Sequence, residues 1–225
     1  ASGTNKAIPI SYYKTFINGK KVIINNKQVK SIDDLITKAN SLLGVEGEEG
    51  QVISLSNEVL KKEKNPRAYF LKGYAFHELN KYQEAEENYN QVLKLEKNNA
   101  ALHNIGLIKE SFEQYDEAIK YYQKAIENDP NYTDAYFRIA YNNDLLGQNQ
   151  EAIKYYQKSI EIEPNNADAF NNLGILYRKV GQYDEALKNL QKAQDMNPYD
   201  PDPLIGFGNV KLNLEQYDEA REYYK

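Results

Sequence analysis

The chain has 225 residues, enough for one large domain or two small ones, and its 41% hydrophobic and 27% charged content is that of a water-soluble protein. It holds no cysteine, which excludes disulfides, thiolate metal sites and cysteine nucleophiles together, and no apolar run nears the roughly 20 residues that span a bilayer. The net charge of −5 divides unevenly: residues 1–30 carry Lys6, Lys14, Lys20, Lys21, Lys27 and Lys30 without an acid, leaving 22 basic and 33 acidic residues, net −11, in residues 31–225.

In chain order, the basic N-terminal extension 1–30 comes first. Its segment YYKTFINGKKVIINNKQV reads as strand, Asn18-Gly19 turn, strand. An isolated hairpin is marginal, so this one is expected to lean on the body or pair with another chain. Residues 31–65 read as a helical cap or a degenerate copy of the units that begin at residue 66. Leu35, Ala39, Leu42, Leu55 and Val59 fall at apolar places, and Ser31 with Asp34 resembles a capping box. Gly44, Gly47 and Gly50 crowd the turn, and Gln51 stands where a packing alanine is wanted.

From residue 66 onward the chain repeats. Ala85, Ala118, Ala152, Ala186 and Ala220 recur at spacings of 33, 34, 34 and 34. Twelve residues before each stands a small residue: Gly73, Gly106, Ala140, Gly174 and Gly208. Four residues after stand Tyr89, Tyr122, Tyr156, Leu190 and Tyr224. Small residues let two helix backbones approach closely, and the large side chains fill the space beside them. Spacings of three, four and seven lie on one helical face. Pro130, Pro164 and Pro198 end three of the units, with Lys97 in the equivalent place of the first, because proline cannot continue a helix interior. Gly147 and Gly181 mark the turn inside a unit, where positive φ is needed, with Asn80 and Glu113 in the equivalent places.

These residues resemble the tetratricopeptide repeat, a 34-residue helix-turn-helix unit. The units run 66–98, 99–132, 133–166, 167–200 and 201–225, the last incomplete. The resemblance implies an all-α fold, an α-α superhelix in which each unit buries its apolar face on its neighbours. The stop at Lys225, part way through a second helix, leads to the expectation of a shortened chain or of an open end that packs on a second copy.

The family builds its inner face from first helices. Carried over, three columns point inward: Phe70, His103, Phe137, Asn171 and Ile205; Tyr74, Leu107, Tyr141, Ile175 and Asn209; His77, Glu110, Asp144, Arg178 and Leu212. Their offsets of four and three group them independently on one helical face. Phe70, Tyr74, Phe137 and Tyr141 are aromatics beyond what the packing columns need, so a partly exposed apolar patch is expected there. The expected partner is a protein or peptide segment, oriented by Glu110, Asp144 and Arg178. The acidic body disfavours nucleic acid, whose phosphates are bound by surplus Lys and Arg. A clamp for a C-terminal carboxylate is disfavoured too, because Phe70 and Tyr74 stand where Lys and Asn would be wanted. A ladder of asparagines is partial: its column reads Leu71, Asn104, Arg138, Asn172 and Gly206.

No catalytic reading gains support. His77 and His103 sit on the inward columns without a metal-binding spacing, and no cofactor motif is present. The recurring acids after each turn stand at helix starts, where they suit the helix dipole. The expected function is therefore a non-enzymatic scaffold; the alternatives are a self-associating structural scaffold and the repeat region of a larger enzyme.

Overall fold

The computed structural model describes residues 31–224, so the expected N-terminal hairpin lies outside the described residues. The described residues form twelve helices and no strand. They are α1 (Ile32–Leu42), α2 (Glu49–Leu60), α3 (Pro66–Glu78), α4 (Tyr82–Leu95), α5 (Asn99–Ser111), α6 (Tyr115–Asn128), α7 (Thr133–Leu145), α8 (Asn149–Ile162), α9 (Ala167–Lys179), α10 (Tyr183–Met196), α11 (Asp202–Asn213) and α12 (Tyr217–Tyr223). They belong to two compact units, divided between Gln114 and Tyr115.

In the first unit α1 starts on a complete capping box. The Asp34 N–H donates to Ser31 Oγ at 3.1 Å, and the Ser31 N–H donates to Asp34 Oδ2 at 3.2 Å. Gly44 and Gly47 take positive φ in the turn, whereas Gly50 lies inside α2. Leu35, Ile36, Ala39, Val52, Leu55 and Val59 of α1 and α2 form one core with Ala68, Leu71, Tyr74 and Ala75 of α3. Gly73 then brings α3 against α4: a Cβ there would stand 3.0 Å from the Tyr89 ring and 3.2 Å from the Ala85 carbonyl oxygen. The small residue and the large one four after the alanine are thus two halves of one contact.

The second unit repeats this device. A Cβ on Gly174 would lie 2.8 Å from Leu190 Cγ, and one on Gly208 would lie 2.5 Å from Tyr224 Cζ. Ala140, Ala152, Tyr156, Ala186 and Leu190 are buried in one core with Leu173, Leu176, Phe207 and Val210. The helices pack in chain order, from α6 on α7 to α11 on α12, with α9 also meeting α11.

Helix ends follow local chemistry. Asn65, Asn98 and Asn166 each accept a hydrogen bond from the N–H three residues on, that of Ala68, Ala101 and Ala169, which satisfies one orphan donor of each first helix. The turns inside the helix pairs need a left-handed residue. Gly147 and Gly181 supply it at φ 74° and 80°; Asn80, Glu113 and Glu215 adopt it at 57°, 58° and 60°. A glutamate is strained there because its Cβ crowds the carbonyl oxygen. Glu113→Gly is expected to raise the stability of the first unit by about 1 kcal/mol, read as a higher denaturant midpoint; an unchanged midpoint would show that the turn is relaxed with glutamate in place.

Candidate partner-binding face

The residues of the inward columns fall in both units and differ sharply in exposure. In the first unit all six are buried: Phe70, Tyr74 and His77 of α3, and His103, Leu107 and Glu110 of α5. Phe70 packs on Tyr89 with ring centroids 5.6 Å apart. Tyr74 is 7% exposed; burial, with the neighbouring Glu78 carboxylate, pushes its hydroxyl up to about 12. His77 meets the Tyr82 ring edge-on at 5.4 Å, and burial pushes its imidazole down to about 4. The exposed aromatic patch expected at Phe70 and Tyr74 is therefore replaced by interior packing. Tyr89 and Tyr82, large residues of the paired helix α4, close over that face.

In the second unit the same columns keep solvent access. Tyr141 of α7 is 38% exposed. Phe137, one turn earlier, is half-buried, with its ring set nearly perpendicular to Tyr156 at 5.5 Å. Ile175 of α9 is half-buried and Asn171 is buried. On α11, Ile205 and Leu212 stand exposed.

Polar links tie these three helices together. Lys179 Nζ of α9 donates to Asp144 Oδ1 of α7 at 2.7 Å, and Arg178 Nη1 of α9 donates to Asn213 Oδ1 of α11 at 3.1 Å. Asp144 and Arg178 thus border the aromatic strip while already engaged. Lys179 and Asn213 lie outside the inward columns, because their role depends on which neighbour they face. The Asp144 charge also reaches Tyr156, whose hydroxyl is driven upward first by burial and then by that carboxylate.

The partial asparagine ladder has an internal use. Asn104 Nδ2 donates to the Tyr89 hydroxyl at 3.1 Å. This asparagine satisfies a phenol that would otherwise be buried without a partner, a loss of about 1–3 kcal/mol. Among the described residues no group of His, Asp and Glu is arranged to hold a metal ion, and no helix is long and apolar enough to cross a membrane.

Paired helices locked by a small residue against a large one, with a left-handed turn between, describe one repeat unit used over and over. Models of the tetratricopeptide repeat match residues 66–99, 99–165, 155–188 and 177–225. The chain belongs to the tetratricopeptide repeat family. Solved tetratricopeptide structures superpose on most of it. The crystal structure of MamA is 25% identical and covers 76% of this chain and 96% of its own, with a TM-score of 0.65. YrrB, described as a tetratricopeptide protein with an unusual peptide-binding site, is 27% identical and covers 77% of this chain and 90% of its own, at a TM-score of 0.64. MamA from Desulfovibrio magneticus RS-1 is 19% identical, covers 74% and 95%, and at a TM-score of 0.66 shares the fold. No curated protein matches the chain in sequence.

Proposed function

We propose that this tetratricopeptide chain is a protein-interaction scaffold without catalytic activity of its own, and that α7, α9 and α11 take a peptide segment of a partner protein. The observation that carries this reading is the exposure of Tyr141 beside Phe137 and Ile175, on helices whose first-unit counterparts bury the same columns. An exposed tyrosine offers a large apolar surface with little side-chain entropy to lose, which makes it a common binding anchor. Asp144 and Arg178 flank it with opposite charges and orient a polar backbone or side chain. The similarity to YrrB, a structure with a peptide-binding site, supports the same class of partner.

Phe137 is a poor test position, since its ring rests on Tyr156 and its loss would loosen α8. Tyr141 and Ile175 are better. Affinity capture with the wild-type chain and with Tyr141→Ala/Ile175→Ala, both shown folded by circular dichroism, is expected to return a partner with the first and lose it with the second. Equal recovery of that partner by both would overturn the assignment of this face.

A further inference from the structure

The charged groups around Tyr141 and Ile175 are not equally satisfied. Four cations stand on α7, α9 and α11: Arg138, Arg178, Lys179 and Lys211. Lys179 is held by Asp144 at 2.7 Å and Lys211 by Glu219 at 2.8 Å, and the Arg138 charge is felt by Asp134. Arg178 forms no ion pair among the described residues. Its Nε is buried without a hydrogen-bond partner, and its one hydrogen bond runs from Nη1 to Asn213 Oδ1, a neutral acceptor, at 3.1 Å.

The acids of these helices do not make up for this. Asp144 shares a column with Arg178 and is taken by Lys179. Asp134, Asp168 and Asp202 stand in the first turns of α7, α9 and α11. Asp168 is thereby about 15 Å of helix away from Arg178, beyond the screening length of about 8 Å at physiological ionic strength. A guanidinium is a planar fork whose N–H groups match the two oxygens of a carboxylate. Here Nη1 keeps one hydrogen and Nη2 keeps two, while the bond to Asn213 holds the fork in place. Asn213, with its Oδ1 engaged, has its Nδ2 left as a second donor beside it. Apolar surface borders the fork: Ile175 lies one turn before it on α9, and Leu212 of α11 is 42% exposed.

We propose that Arg178 and Asn213 receive the side-chain carboxylate of an aspartate or glutamate in the bound segment, an inference that rests on the reading of α7, α9 and α11 as a peptide-binding face. The segment carries an apolar residue, seated on Tyr141 and Ile175, and one acidic residue within two positions of it. The helix sets that spacing, because Ile175 and Arg178 are about 4.5 Å apart along α9 and extended chain advances about 3.3 Å per residue. A run of acids does not suit the site. The second unit holds 12 basic and 19 acidic residues, net −7, and repels a strongly negative segment. Arg178 is thus a specificity-determining residue, selecting a single negative side chain beside an apolar one.

The test starts from random dodecapeptides displayed on phage, fused through their C-termini so that only side chains offer carboxylates. They are selected on the whole chain, synthesised with amidated C-termini, and their binding is followed by fluorescence anisotropy. The expected peptides lose binding to Tyr141→Ala/Ile175→Ala and carry Asp or Glu within two positions of an apolar residue. Replacing that acid by its amide is expected to weaken binding to wild type about tenfold, the usual worth of a charge-assisted hydrogen bond, and to change binding to Arg178→Gln by less than about twofold. Arg178→Glu is expected to invert the preference, taking lysine in place of the acid. The acid-to-amide comparison on the wild-type chain needs no variant and decides the matter if Arg178→Gln does not fold. Peptides that depend on Tyr141 and Ile175 but lose nothing with the amide, or lose as much on Arg178→Gln, overturn this inference and leave the peptide-binding face standing. Recovery of no peptide, or only of peptides indifferent to Tyr141→Ala/Ile175→Ala, overturns both.

Discussion

Gly174→Leu is expected to lower the stability of the second unit by about 3 kcal/mol, the upper end of the usual cost of overpacking. Two effects oppose each other at this position. Glycine is a poor helix former, and a side chain in α9 would gain about 1 kcal/mol from propensity alone. Against that, the first added carbon already meets Leu190 Cγ at 2.8 Å and the Ala186 carbonyl oxygen at 3.1 Å. Neither obstacle is the loose end of a flexible chain: one is the branch point of a fully buried leucine and the other is backbone. The helices must therefore move apart, and α10 loses the contact that seats it on α9. Gly50→Ala in α2 is the control, because nothing lies within 4 Å of a Cβ there and the propensity gain stands unopposed. Denaturant unfolding separates the two variants. A Gly174→Leu midpoint at or above wild type would mean that α9 and α10 do not approach as described. Stability in repeat arrays is nearly a sum over neighbours, so hydrogen exchange is expected to rise most in α9–α12 and least in α6 and α7.

The second large effect is acid sensitivity of the first unit. His77 is 4% exposed, its Nδ1 has no hydrogen-bond partner, and burial alone holds its imidazole at about 4, against 6.5 in an open chain. The unfolded chain therefore takes up a proton at higher pH than the folded one. Stability falls as pH drops from 6.5 towards 4 and levels off below that, with a loss of about 3 kcal/mol across the window. The Tyr82 ring edge faces the imidazole from α4 and offers no charge to offset it. His77→Leu removes the titration. Every other titratable group is common to both proteins, so the difference between the two stability curves isolates the histidine. That difference is expected to be flat above pH 7 and to grow in favour of the leucine variant down to pH 4. Parallel curves would show that His77 becomes charged without cost, which a buried site does not allow.

What the sequence made legible was the part of the fold set by short-range rules. Small and large residues at fixed offsets located the helix contacts, and the glycines at 147 and 181 located a left-handed turn that Asn80, Glu113 and Glu215 also adopt. The candidate face was legible in position and not in exposure. Periodicity says which side of a helix a residue occupies; it does not say what the partner helix lays across that side. Phe70 and His77 are covered because α4 brings Tyr89 to the first and Tyr82 to the second, whereas Tyr141 keeps its solvent access.

The chain-order packing of α6 to α12 also bears on how the protein is made. Each helix of this unit finds its main contacts in the helix just before or after it, and the most distant of these contacts, α9 with α11, spans about one repeat. Contacts of short sequence separation form quickly, because little loop entropy is lost in closing them. Helices leave the ribosome at about 5–20 residues per second, far more slowly than such pairs assemble. Each pair therefore has its seat ready as it emerges, and the apolar faces of Ala152, Tyr156 and Leu173 are covered while the remainder of the unit is still being synthesised.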